Sequence, residues 1–249
     1  MEEILGDENF RGKKAFSKAK FSIAPPESFI ELIDNLNNIV GKNFREIADL
    51  LDVNLPKSSL HAKGWAGQAV ELCLGASAKS AAVPDFPNLG LELKTIPVDE
   101  EYKPLESTFL GYAPLIVKNS NFYESSLYSK VSRMLFVLIC APREMAMARR
   151  YVVGYFFWQP SEEEMKLIKD DYDELMEMVK TGFVEEITAR IGSVIQMRPK
   201  CANGKKLTTC VGPLGELIST RPRGFYMRRK FSTQLIEKYW VKTNPILVI

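Results

Sequence analysis

Apolar residues recur along this chain with helical period in some stretches and strand period in others, in an order that predicts an α/β protein. After Pro25-Pro26, the residues Phe29, Ile33, Leu36 and Val40 fall on one helical face that stops near Gly41. Further helical patterns cover Phe44 to Leu51 and Trp65 to Leu74. Strands are predicted at Leu89 to Ile96, Met134 to Cys140 and Tyr151 to Trp158, the second apolar throughout, as a strand covered on both faces would be. Ser161 and Glu164 form a capping box for a long helix whose Met165, Ile168, Tyr172, Leu175 and Val179 make one stripe, ending at Gly182. A strand near Val194 to Arg198, a glycine-rich stretch, a strand near Phe225 to Phe231 and a last helix from Ser232 complete the reading. Residues 1–25 are polar and basic and are expected as a poorly ordered extension ahead of a folded region at 26–249.

Two of these segments carry candidate chemistry. In Leu89-Gly90-Leu91-Glu92-Leu93-Lys94, leucines alternate with Glu92 and Lys94, so a strand places an acid and a base side by side on the face away from its leucines. Asp85, after Pro84, is positioned to bring a second carboxylate. Two carboxylates without histidine or thiolate suit Mg²⁺ or Mn²⁺, the equipment for cutting a phosphodiester. An edge strand with a solvated Glu and Lys has the same spacing. The second segment is the helix at Trp65 to Leu74, where Glu71 is flanked at helical spacing by Gly64, Gly67 and Gly75. So bare a face predicts either tight packing on a strand or close approach by a ligand such as a DNA backbone. Packed on the strand of Glu92, Glu71 would be a third acid near the metal.

The 249-residue chain is 46% hydrophobic and 26% charged, an ordinary globular composition. No apolar run is long enough to span a bilayer, and a cytoplasmic protein is expected. Cys73, Cys140, Cys201 and Cys210 are scattered with no C-x-x-C pair, which fits neither a disulfide framework nor a zinc site. The single histidine, His61, disfavours mechanisms that need a histidine base or several histidine ligands, so water would be activated by metal and lysine. Net charge is only +2, but Arg190 to Lys230 holds ten basic residues against Glu216 alone, while Ser161 to Glu186 holds ten acids against three lysines. A polyanion would bind the first of these segments.

In order along the chain, Lys63-Gly64-Trp65-Ala66-Gly67, Pro84-Asp85-Phe86, Glu92-Leu93-Lys94-Thr95-Ile96-Pro97-Val98, Pro104-Leu105-Glu106-Ser107-Thr108-Phe109, Ile187-Thr188-Ala189-Arg190, Arg198-Pro199-Lys200 and Arg223-Gly224-Phe225-Tyr226 resemble the MutH family of DNA mismatch-repair endonucleases. The resemblance implies a restriction-endonuclease-like (PD-(D/E)xK) fold, a mixed central sheet flanked by helices, with a catalytic N-terminal lobe and a basic C-terminal lobe forming a DNA-binding cleft. It implies Mg²⁺-dependent nicking of the unmethylated strand of double-stranded DNA at hemimethylated GATC sites, leaving a 5′-phosphate, with MutL as ATP-dependent activator.

Carried onto this chain, the family pattern makes Asp85, Glu92 and the Leu93 carbonyl metal ligands, gives Lys94 the water, and completes the site with Glu71 and Lys130. Arg198, Pro199, Lys200 and Tyr226 match segments that read bases and sense methylation, and Lys63 and Phe109 match positions near DNA. Two departures stand out: Ser129 precedes Lys130 where the family usually has His, and the Lys-rich extension is longer than the family norm. A restriction enzyme cutting both strands of GATC, or a DNA-binding module with purely structural acids, remain the alternatives.

Overall fold

The computed structural model describes residues 23–56, 64–77, 83–117, 120–200 and 206–240. Of the expected extension, residues 1–22 lie outside the described residues, as do His61, Lys63, Cys201 and Lys205.

In chain order the elements are α1 (Phe29–Ile39), α2 (Phe44–Leu50), α3 (Trp65–Leu74), β1 (Glu92–Val98), β2 (Thr108–Tyr112), α4 (Ser126–Val131), β3 (Met134–Cys140), β4 (Tyr151–Trp158), α5 (Glu162–Lys180), β5 (Ile195–Pro199), β6 (Thr208–Val211), β7 (Leu217–Thr220), β8 (Arg223–Met227) and α6 (Arg229–Tyr239). They belong to two compact units between which the chain alternates. The first takes the chain up to Glu106, returns for Met134–Trp158 and takes it again from Tyr239; the second takes Ser107–Arg133 and Gln159–Lys238.

The first unit is built on a mixed three-stranded sheet in the order β1-β3-β4, with β3 parallel to β1 and antiparallel to β4. Every residue of β3 is buried, as its unbroken apolar run requires of a central strand. Leu135, Val137 and Ile139 join Leu32, Leu36, Phe44, Ile47, Trp65 and Val70 from α1, α2 and α3 in one core. Each such side chain contributes roughly 1.5–3 kcal/mol relative to exposure. On the other face of the sheet, Phe136 packs its ring against Phe156 and Trp158, at 5.1 and 5.9 Å.

The predicted strand from Leu89 starts later and ends later. Pro87–Leu89 form a 3₁₀ turn, Gly90 reverses the chain at φ 59°, and β1 begins at Glu92. It continues through Pro97 because β1 is an edge strand and its outer side needs no ladder N–H.

The second unit holds an antiparallel sheet in the order β2-β8-β5, the separate hairpin β6-β7, and the helices α4 and α5. α5 starts at the predicted capping box, Ser161 Oγ accepting from the Glu164 N–H while Glu164 accepts from the Ser161 N–H. The expected single mixed sheet is thus resolved into three small sheets, and the final helix begins at Arg229 instead of Ser232. No helix among the described residues is long and apolar enough to cross a membrane.

Candidate functional site

Local chain geometry brings Asp85, Glu92, Leu93 and Lys94 to the start of β1. Phe86 and Leu91 exchange both backbone hydrogen bonds across the Pro87–Leu89 turn, so the residue before that bridge lies beside the residues after it. Asp85 Oδ2 accepts the Leu93 N–H at 2.9 Å. Lys94 Nζ donates to Glu92 Oε1 at 2.6 Å and to the Leu93 carbonyl oxygen at 3.0 Å, and stands 3.9 Å from Asp85 Oδ2. Glu92 is wholly buried, while the Asp85 and Lys94 side chains keep 17% and 20% of their surface. The pair therefore opens to solvent only on the Asp85 and Lys94 side.

Burial pulls the Lys94 pKa down, but the charges of Glu92, Asp85 and Glu71, with the Glu92 hydrogen bond, outweigh it and hold the ammonium above its ordinary range. Glu71 thus acts on this site, from the exposed side of α3. The glycines round it divide by role. Gly67 faces Thr95 of β1, where a Cβ would lie 3.8 Å from Thr95 Oγ1, and so lets helix and strand come close. Gly64 and Gly75 bound the helix in left-handed conformations, at φ 87° and 73°, and at Gly75 a Cβ would strike the Ala24 carbonyl at 2.4 Å. Two of the three glycines thus mark helix ends, and the third marks close packing.

Two carboxylates and a carbonyl converge on a cation of the protein's own. The donor set is all oxygen, which suits Mg²⁺ or Mn²⁺, and the ammonium stands in for such an ion. Among the described residues no three His, Cys, Asp or Glu side chains gather closely enough to hold an ion by themselves, so the Leu93 carbonyl would have to be the third donor.

Lys130 belongs to the second unit, in the last turn of α4, with its Cδ 3.7 Å from where a Cβ on Gly111 would stand. The same unit gathers five of the DNA candidates. Phe109 of β2 is opposite Tyr226 of β8, with ring centroids 5.3 Å apart. The Arg198 guanidinium lies over the Tyr226 ring at 5.6 Å and Lys200 Nζ over the Phe109 ring at 4.8 Å. Such contacts are worth about 0.5–1 kcal/mol each at exposed sites. Pro199 stands exposed between the two cations. Tyr226 is half-buried, since the core positions of β8 go to Phe225 and Met227.

Sequence reading missed two contributors. Gly224 makes room for the Phe109 ring, which would lie 2.6 Å from a Cβ there. Tyr112 extends the aromatic row, 5.4 Å from Phe109. Of the ten basic residues between Arg190 and Lys230, Arg223 is buried and donates to the Ile187 carbonyl, and Arg228 donates to the Ala189 and Ile191 carbonyls. Those two brace the fold.

A family described as the DNA mismatch repair enzyme MutH matches residues 74–171. Proteins named DNA mismatch repair protein MutH match over nearly their whole length. That of Histophilus somni (strain 2336) is 40% identical over 220 residues, 88% of this chain and 98% of its own. That of Haemophilus influenzae (strain PittEE) is 39% identical over 222 residues, 89% and 99% of the two chains. That of Salmonella newport (strain SL254) is 41% identical over 224 residues, 90% and 97%.

Proposed function

Since the chain belongs to the MutH family, we propose that it is the endonuclease of DNA mismatch repair that nicks the unmethylated strand at hemimethylated GATC sites. The observation that carries the reading is the gathering of Asp85, Glu92, the Leu93 carbonyl and Lys94 about one point. We assign the first unit to catalysis and the second to DNA reading, as the two lobes of a restriction-endonuclease-like fold.

Asp85, Glu92 and the Leu93 carbonyl would hold Mg²⁺, with Mn²⁺ as a substitute, and Glu71 would complete the constellation of the first unit; Lys130, in the second unit, is carried over from the family pattern as a further catalytic candidate. When bound, the divalent ion polarises the scissile phosphate and lowers the pKa of water. In the metal-free site burial pulls the Lys94 pKa down, and Glu92 and Asp85 raise it by more, so the side chain is cationic there. Beside the bound ion it would orient the attacking water and offset charge on the phosphate, leaving a 5′-phosphate and a 3′-hydroxyl. Arg198 and Lys200 would leave their aromatic rings to donate to guanine N7 and O6, and the Tyr226 ring would sense a methyl on adenine N6 by shape. Pro199, Phe109 and Lys63 would line the DNA path. MutL, with ATP, would be the activator.

The test is nicking of a plasmid carrying one hemimethylated GATC, with and without Mg²⁺ and with and without MutL and ATP. The expected product is a single nick in the unmethylated strand that requires the ion. Cleavage of both strands would identify a restriction enzyme instead, and no cleavage would leave a DNA-binding module.

A further inference from the structure

The strand that carries Arg198 and Lys200 is held at its root by a buried carboxylate. Asp171, on α5, is only 5% exposed. Its Oδ1 accepts the Ser193 N–H at 2.7 Å and the Ser193 hydroxyl at 3.0 Å; its Oδ2 accepts the Val194 and Ile195 N–H groups at 2.7 and 2.8 Å. Three successive amides and a hydroxyl thus converge on one charge. Gly192, at φ 85°, passes so close that a Cβ would lie 3.3 Å from the Asp171 carboxyl carbon and 2.1 Å from the Ile195 carbonyl oxygen. From the end of β8, Arg228 donates to the Ala189 and Ile191 carbonyls, both at 2.8 Å, and Arg223 donates to that of Ile187 at 3.0 Å. Residues 187–195 are thereby fixed from both sides immediately before β5.

We infer that Asp171 and Arg228 are positioning residues for site recognition: by locking the start of β5 they set where Arg198 and Lys200 stand relative to Tyr226. The inference rests on the reading of the second unit as the DNA-reading lobe. Arg198 is three residues beyond Ile195, on a strand that among the described residues pairs only with β8, so the root adds to the ladder's resistance to sliding along that partner. Base-edge hydrogen bonds demand placement to about 0.5 Å. A buried anion is a costly way to close a loop, because its desolvation must be offset by the donors it meets. It is suited to fixing amide positions, since both oxygens are engaged and neither can be released cheaply.

The experiment uses the full-length wild type, Asp171→Asn and Arg228→Gln, well below each variant's melting temperature. Nicking is compared on hemimethylated GATC, fully methylated GATC and a duplex with one GATC base pair changed, and affinity for non-cognate duplex is measured alongside. The expected result is a loss of at least tenfold in the cognate-to-altered-site ratio in both variants, with non-cognate affinity within twofold of wild type. A brace that only stabilises would lower the melting temperature and leave the ratio intact, and that result overturns the inference. If Asp171→Asn does not fold, the ratio in Arg228→Gln decides by the same criterion. A wild type that nicks without site preference overturns the DNA-reading assignment, and this inference with it; an unchanged ratio in a site-selective background overturns the inference alone.

Discussion

Replacing Lys94 by Met should make the stability of the first unit depend on divalent cations. The substitution keeps the bulk of the stem and deletes the ammonium that lies 2.6 Å from Glu92 and 3.9 Å from Asp85. Glu92 is wholly buried, so its charge loses the partner that offsets its desolvation. Removing one partner of such a pair costs about 3–5 kcal/mol. At 2–4 °C per kcal/mol for a protein of this size, the unit should melt roughly 6–20 °C lower in EDTA. A cation that binds the same oxygens would refill the position, and at a hundred times its dissociation constant it restores about 2.7 kcal/mol. Thermal melts in EDTA, Ca²⁺ and Mg²⁺, run beside wild type, measure both effects. The variant should also have lost nicking while holding duplex nearly as before, because the missing group acts in the transition state. A melt equal to wild type in EDTA, or one that no divalent ion raises, would refute the idea that the ammonium is a resident counter-ion of the metal ligands.

Three other outcomes are expected. Arg198→Ala should relax or abolish site preference, read as the cognate-to-altered nicking ratio; unchanged selection would exclude a base contact. Gly224→Ala forces a methyl to within 2.6 Å of the Phe109 ring and 3.0 Å of the Gly111 carbonyl, and should cost about 1–3 kcal/mol in urea melts and disturb site selection, whereas a neutral result would mean that the aromatic row yields freely. Burial pushes the Cys73 thiol up to about 12, above its ordinary value, so its contribution to stability is complete at neutral pH and falls away as pH climbs from that ordinary value towards 12. The difference in urea midpoint between wild type and Cys73→Ala should therefore shrink between pH 8 and 10.5; a constant difference would count against thiol burial as the cause.

What could be read from sequence was local. β3 announced itself by seven consecutive apolar residues, and α5 by Ser161, Glu164 and a stripe of 3.6-residue period. Glu92 and Lys94 were legible because their partnership is two residues apart on one strand. β2 escaped notice because it is five residues long, contains Gly111 and shifts register between Phe109 and Gly111, which breaks strict alternation. α4 is too short for a period to show. The hairpin β6-β7 leaves Leu217 and, at its turn, Leu214 exposed, opposite to the hydrophobic rule that sequence patterns rely on. Asp171 was counted among the ten acids of Ser161 to Glu186, and nothing in its neighbours says that three amides from residues 193–195 converge on it. The resemblance implied two lobes, but the alternation of the chain between the units was hidden for the same reason, since it depends on partners far apart along the chain.

That alternation of the chain has a consequence during synthesis. Glu92 and Lys94 leave the ribosome about forty residues before the central strand that will flank them, and β4, the far side of the sheet, ends only at Trp158. Translation proceeds at ~5–20 residues per second, so for several seconds the nascent polypeptide holds Glu92 and Lys94 without the scaffold that would orient them. Under the proposed reading a half-made copy cannot nick DNA, and competence arrives only once late segments have closed over early ones.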